Sequence, residues 1–91
     1  MIKSFKHGGL KKFFELGTTK GIQVNHEKKL GRMLAFIDEI EDIEEIRPFW
    51  KCHQLKGNRS TIWSLSVSGN WRLTFEFKDG NAYILDYEDY H

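Results

Sequence analysis

The last six residues, DYEDYH (86–91), hold two tyrosines, three acids and a histidine. Imidazole, carboxylate and phenol all exchange protons, and each such group, once positioned, typically accelerates a reaction by about 10²–10⁴-fold. CHQLKG (52–57) adds His53 and Lys56, and the middle of the second half adds Arg72. Together these types suit metal-free RNA cleavage, in which a ribose 2′-OH attacks the adjacent phosphate. A base takes the hydroxyl proton, an acid protonates the departing 5′-oxygen, and cations such as Lys56 and Arg72 offset the charge that builds on phosphorus. The carboxylate that ends the chain at His91 is expected to help its imidazole hold a proton.

Taken singly, each residue has a plainer reading. A C-terminal histidine is more often solvated decoration, His53 alone is an ordinary loop histidine, and Tyr83 and Tyr87 suit core or rim packing. Only joint placement on one face makes a site of them. The familiar alternatives are missing: there is no Walker loop, no GxGxxG and no CxxC. The four histidines (His7, His26, His53, His91) lack zinc-ligand spacing, so neither metal nor cofactor is expected. Cys52 beside His53 is not a nucleophile pair, because neighbours on an extended chain face opposite ways; a buried structural thiol is expected.

Proton carriers at a chain end are useful only if that end is held, so the preceding elements matter. AYILDYE reads as a last strand, whose ladder hydrogen bonds would keep its end from fraying. TIWSLSV alternates, with Trp63, Leu65 and Val67 on one side, and WRLTFEF alternates with Trp71, Leu73, Phe75 and Phe77 inward and Arg72 outward. SGN (68–70) and DGN (79–81) carry hairpin-turn chemistry, giving a three-stranded antiparallel meander. The meander is expected to bring the CHQLKG segment beside the last strand's end.

In the first half, IKSF (2–5) suits a short strand. GGLKKFFELG reads as a weakly capped short helix with Leu10, Phe13 and Phe14 on one face and Gly17 as its stop. Asn25 is the expected N-cap of a longer helix reaching about residue 43, with Leu30, Met33, Leu34, Ile37 and Ile40 as its buried stripe. The acidic block DEIEDIEE (38–45) falls late on this helix, where acids oppose the dipole, which points to surface or partner contacts. Two helices over one face of an antiparallel sheet make the fold class α+β, in a single domain, 1–91.

Composition sets the outer bounds. The chain has 91 residues, 40% hydrophobic and 30% charged, as expected of a small folded domain with a thin core. One cysteine permits no internal disulfide, and no apolar run is long enough for a signal peptide or a bilayer span, so a cytoplasmic protein is expected. Net charge is only +1, yet basic residues cluster at Lys3, Lys6, Lys11, Lys12 and Lys20 and again at Lys51, Lys56 and Arg59. Separated blocks let a near-neutral protein present a positive face to phosphate.

LKGNRSTIWSLSVSGNWRLTFEF followed by DGNAYILDYEDYH, together with the opening IKSFKHGGLKKFFELG, closely resembles the HigB branch of the RelE-like toxins, the host-inhibition-of-growth or plasmid-maintenance killer proteins. The likeness covers nearly the whole chain and is weakest through 18–50. It implies the RelE microbial ribonuclease fold, two N-terminal helices on a small antiparallel sheet, and ribosome-dependent cleavage of mRNA in the A site. It further implies neutralisation by a helix-turn-helix antitoxin encoded next door, and a monomeric free toxin. The family's functional positions fall on His53, Lys56, Asp89, Tyr90 and His91, with His91 as the main acid–base group. Arg72, Arg59, Lys51, Lys6, Lys11 and Lys12 would then meet RNA phosphates. Two other readings stay open: a non-enzymatic toxin of the same superfamily that poisons gyrase, and a small RNA- or protein-binding module.

Overall fold

A computed structural model describes residues 1–90. Helix α1 spans Gly8–Leu16, α2 Glu27–Glu39, and the strands are β1 (His53–Gln54), β2 (Ile62–Ser68), β3 (Trp71–Lys78) and β4 (Asn81–Asp89). All strand pairs are antiparallel, in the order β1-β2-β3-β4. The expected meander is therefore present with one strand added. β1 is only two exposed residues long, too short to show alternation. Residues 2–5 do extend the sheet, as two parallel bridges along β4 (Ile2 with Ala82, Phe5 with Leu85).

α1 is better capped than its Gly-Gly start suggests. The His7 ring accepts the Leu10 N–H through Nδ1 at 2.9 Å, and Gly17 closes the helix at φ 77°, where its N–H donates to the Phe13 carbonyl. Leu10 is fully buried and Phe13 packs on the core, whereas Phe14 lies outside against Phe5. The connector after α1 crosses its first turn so closely that a Cβ on Gly9 would sit 2.7 Å from the Gly21 Cα. At Gly8 a Cβ would meet nothing. Gly8→Ala is expected to stabilise by about 0.5 kcal/mol, through lost freedom of the unfolded chain, and Gly9→Ala to destabilise by more than about 1 kcal/mol, in urea melts.

α2 buries Leu30, Met33, Leu34 and Ile37, as its stripe requires, with Ile40 buried just beyond. Both of its expected ends shift. A 3₁₀ turn at Val24–His26 takes the place of an Asn25 cap, and the helix stops at Glu39 rather than near 43. The stop has a local cause. Asp42 and Glu45 form a reciprocal capping box: the Glu45 carboxylate accepts the Glu41 and Asp42 N–H groups at 2.8 and 2.9 Å, and Asp42 accepts that of Glu44. Asp38 accepts the Ile2 N–H at 2.8 Å, and Glu44 pairs with Arg47. Much of the acidic block thus serves the fold's own turns.

Sheet and helices enclose one apolar layer, with Leu65, Val67, Leu73, Phe75, Ala82, Leu85 and Tyr87 facing the helices. In β4 that set breaks strict alternation, and a bulge explains why. Glu76 pairs with Tyr83 and Thr74 with Asp86, so Ile84 and Leu85 together oppose Phe75. Ile84 takes a left-handed φ of 50°, and the Ser4 hydroxyl accepts its N–H at 2.9 Å. Without the extra residue, the phase that buries Ala82 would turn Asp86 and Glu88 into the core. The bulge turns those acids, and Tyr90, to the open face. The β3–β4 turn, Asp79 and Gly80 at φ 53° and 79°, is the type I′ turn that Asp-Gly favours.

Candidate active site

Strand register gathers polar residues on the face turned away from the helices. One cross-strand row reads His53, Ser64, Thr74, Asp86, and the next Ser66, Arg72, Glu88. The loop from β1 to β2 arches back over this face, and its 3₁₀ turn (Gly57–Arg59) delivers Arg59 to β4. There Arg59 Nη2 donates to Glu88 Oε2 at 2.7 Å and Nη1 to the Tyr90 hydroxyl at 3.3 Å. Thr74 Oγ1 donates to the same carboxylate oxygen at 2.7 Å. The Arg72 guanidinium lies 5.8 Å from the Tyr90 ring centroid and donates to the Gly69 and Trp71 carbonyls. Tyr90 therefore has one guanidinium at its hydroxyl and another over its ring. A cleft of about 260 Å³ opens on the same face, bordered by Lys6, Arg59, Thr74, Glu76 and Asp86.

Charge follows contact. Burial alone would raise the Glu88 pKa, but hydrogen bonds from Arg59 and Thr74, with the charges of Arg59 and Lys6, hold it below the usual carboxylate range. The Glu88 hydrogen bond in turn raises Arg59, which stays fully cationic.

The expected site residues are only partly brought together. Arg59, Arg72 and Tyr90 meet, and Lys6 joins their face, its Nζ 4.0 Å from the Asp86 carboxylate. His53 shares the face but sits on the edge strand three strands from β4, about 14 Å away by strand spacing. The CHQLKG segment thus reaches β4 through its following loop, not by lying beside it. His53 Nδ1 donates to the Lys51 carbonyl at 2.9 Å, an acceptor without a proton, which leaves Nε2 free to take or give one. Lys56 is exposed at the start of the 3₁₀ turn, and Lys51 is exposed with a left-handed φ of 52°. Asp89 stands opposite Trp71 and alternates with Glu88 and Tyr90, so it points to the helix side. Lys11 and Lys12 are exposed on α1, away from this face. His91 lies outside the described residues.

Glu88 and Thr74 were not legible as site residues, although the spacing of Glu88 and Tyr90 on a strand puts them on one face. Also missed was a buried anchor beneath the end of β4. Tyr87 accepts the Gln23 N–H at 3.4 Å, and its hydroxyl meets His26 Nδ1 at 2.5 Å. Trp71 stacks on Tyr87 with centroids 4.4 Å apart. Burial, then the Lys29 charge, lowers the His26 pKa, and burial raises that of Tyr87, so a tyrosine O–H donates to a neutral ring. The unfolded chain then binds the His26 proton more readily than the folded one. The contribution of His26 is complete above about pH 6.5 and is lost as pH falls through the lower folded value. Urea melts of wild type are expected to lose stability from pH 7.5 to 5.5, and His26→Gln to lose less over that interval. Cys52 is half-buried, and burial pushes its thiol up to about 11, which makes it a poor nucleophile near neutrality.

No helix among the described residues is long and apolar enough to cross a membrane. Over its full length the chain is 50% identical to Endoribonuclease HigB of Proteus vulgaris, and the alignment covers the whole of that protein as well. Residues 3–91 match the family model of HigB-like toxins, described as RelE-like toxins of type II toxin–antitoxin systems. With two helices on an antiparallel sheet, a full-length relative and a family match across the chain, this protein belongs to the HigB-like toxin family.

Proposed function

We propose that the whole chain, 1–91, is one toxin domain that acts as a ribosome-dependent mRNA interferase in the cytoplasm. A type II toxin has an antitoxin partner; here it is a helix-turn-helix protein of the HigA kind, and the free toxin is a monomer. The substrate is mRNA in the ribosomal A site. The 2′-OH attacks the adjacent phosphate, with His91 as the principal proton carrier and Tyr90 donating a hydrogen bond. His53 and Asp89, which stand apart from the Arg59–Tyr90 cluster, assist from the edge strand and from the helix side of β4. No metal or cofactor takes part. Arg72 and Lys56 face the developing charge, while Lys6, Lys51, Lys11 and Lys12 meet RNA backbone. Arg59, already engaged by Glu88, adds positive potential rather than a free phosphate fork.

The observation that carries this reading is the convergence of Arg59 and Arg72 on Tyr90 at the end of β4. Two cations fixed around a phenol beside the last residues supply charge stabilisation where proton carriers follow in the sequence. The name of the Proteus vulgaris relative, an endoribonuclease, supports the same activity. Purified protein is expected to cut messages on translating ribosomes and to leave the same RNA nearly intact when naked. Equal cutting of both would refute ribosome dependence.

A further inference from the structure

We propose that Glu88 is a positioning residue for cleavage: its carboxylate clamps Arg59 across the sheet so that the guanidinium is held at the Tyr90 hydroxyl. The inference rests on the ribonuclease reading above.

An arginine on a loop samples many rotamers, and an unclamped Arg59 would place its charge only part of the time. Glu88 removes that freedom because it is itself fixed. It projects from β4 where that strand is still paired with Arg72 of β3, and Thr74, almost wholly buried on β3, donates to the same Oε2 that Arg59 uses. One rigid strand hydroxyl and one rigid strand backbone thus set where the guanidinium sits. Its second nitrogen then reaches Tyr90 at 3.3 Å. Arginine only donates, so the tyrosine oxygen accepts, and the phenolic proton is left directed elsewhere, available to a phosphate or ribose oxygen. Glu88 also offsets one of the two guanidinium charges that would otherwise repel each other around Tyr90. Finally, the clamp ties down the loop that carries Lys56.

The test is single-turnover cleavage of mRNA on translating ribosomes by wild type, Glu88→Gln, Arg59→Ala and the double variant, each also melted thermally. Glu88→Gln is expected to lower the rate at saturating ribosomes by about tenfold and to change the half-saturating ribosome concentration less than about twofold. The double variant is expected to be no slower than Arg59→Ala alone, since both substitutions break one device. A purely structural Glu88 would instead give a rate loss that follows the melting temperature across the variants, which overturns the proposal. A Glu88→Gln rate equal to wild type overturns it too, as does tighter ribosome binding, which would mark Glu88 as a competitor of phosphate for Arg59. Thr74→Val, which frees the carboxylate without removing its charge, gives a second reading and is expected to lose part of the same rate. Wild type that leaves ribosome-bound mRNA uncut would overturn the ribonuclease reading itself; a cutting wild type with an unimpaired Glu88→Gln overturns this inference alone.

Discussion

Replacing His91 by Gln is expected to lower single-turnover cleavage of ribosome-bound mRNA by about 10²–10⁴-fold, the range typical of removing one acid–base group. Glutamine keeps a comparable size and hydrogen-bonding capacity but cannot exchange a proton near neutral pH, so the substitution isolates the chemistry. An imidazole is suited to the task because its ordinary pKa lies near 6.5, close enough to neutrality to serve in either protonation state. Thermal melts of the variant run beside the kinetics separate a loss of chemistry from a loss of fold. The chain is held in the ladder up to the residue before it, where the Tyr90 N–H donates to the Asn70 carbonyl at 2.8 Å. Growth arrest on expression should disappear with the rate. Arrest that persists in a variant with no detectable cleavage would favour a binding toxin over an enzyme.

Phe75→Ala is the substitution expected to cost most in stability. Among the described residues Phe75 is the largest fully buried side chain, in the central part of β3 and opposite the two bulged residues of β4. Truncating a buried phenylalanine costs about 3–5 kcal/mol, from lost burial and from the cavity left behind. A domain of this length has roughly 5–14 kcal/mol in all, so much of the margin goes, and the melting temperature should fall by about 20 °C. Thermal and urea melts check this directly. Toxicity should fall with abundance, because more of the chain is unfolded at any moment. A melting temperature within a few degrees of wild type would mean that the layer between helices and sheet is far looser than its burial implies.

The elements legible in the sequence are those where one local rule decides the outcome. The stripe from Leu30 to Ile40 has only one way to be buried, and Asp79-Gly80 suits the one turn whose two positive φ values those residues tolerate. Those that are not legible depend on a partner far along the chain. The β4 bulge depends on Ser4, eighty residues away, and nothing in AYILDYE marks Ile84 for a left-handed backbone. A single-residue change of phase there decides that Glu88 and Tyr90 face the open side while Asp89 does not. The end of α2 was within reach: Asp42-x-x-Glu45 is a capping-box pattern, hidden inside a run of acids that reads as mere surface charge. The candidate site follows the same division. Arg72 pointing outward followed from alternation on β3, but the arrival of Arg59 at Tyr90 depends on a loop that crosses the sheet face, which periodicity does not encode. The distance of His53 from β4 likewise depends on strand order, which alternation leaves open.

The chemistry of the cut ends tests the central claim most directly. Messages cut on translating ribosomes by the purified protein can be isolated and their termini assayed by ligation, with and without prior phosphorylation. Attack by the 2′-OH leaves a 2′,3′-cyclic phosphate on the upstream fragment and a 5′-hydroxyl on the downstream one, so ligation of the downstream end should require added phosphate. Fragments that carry a 5′-phosphate and a 3′-hydroxyl would show that water, not the ribose hydroxyl, had attacked, and would contradict the mechanism assigned to this sheet face.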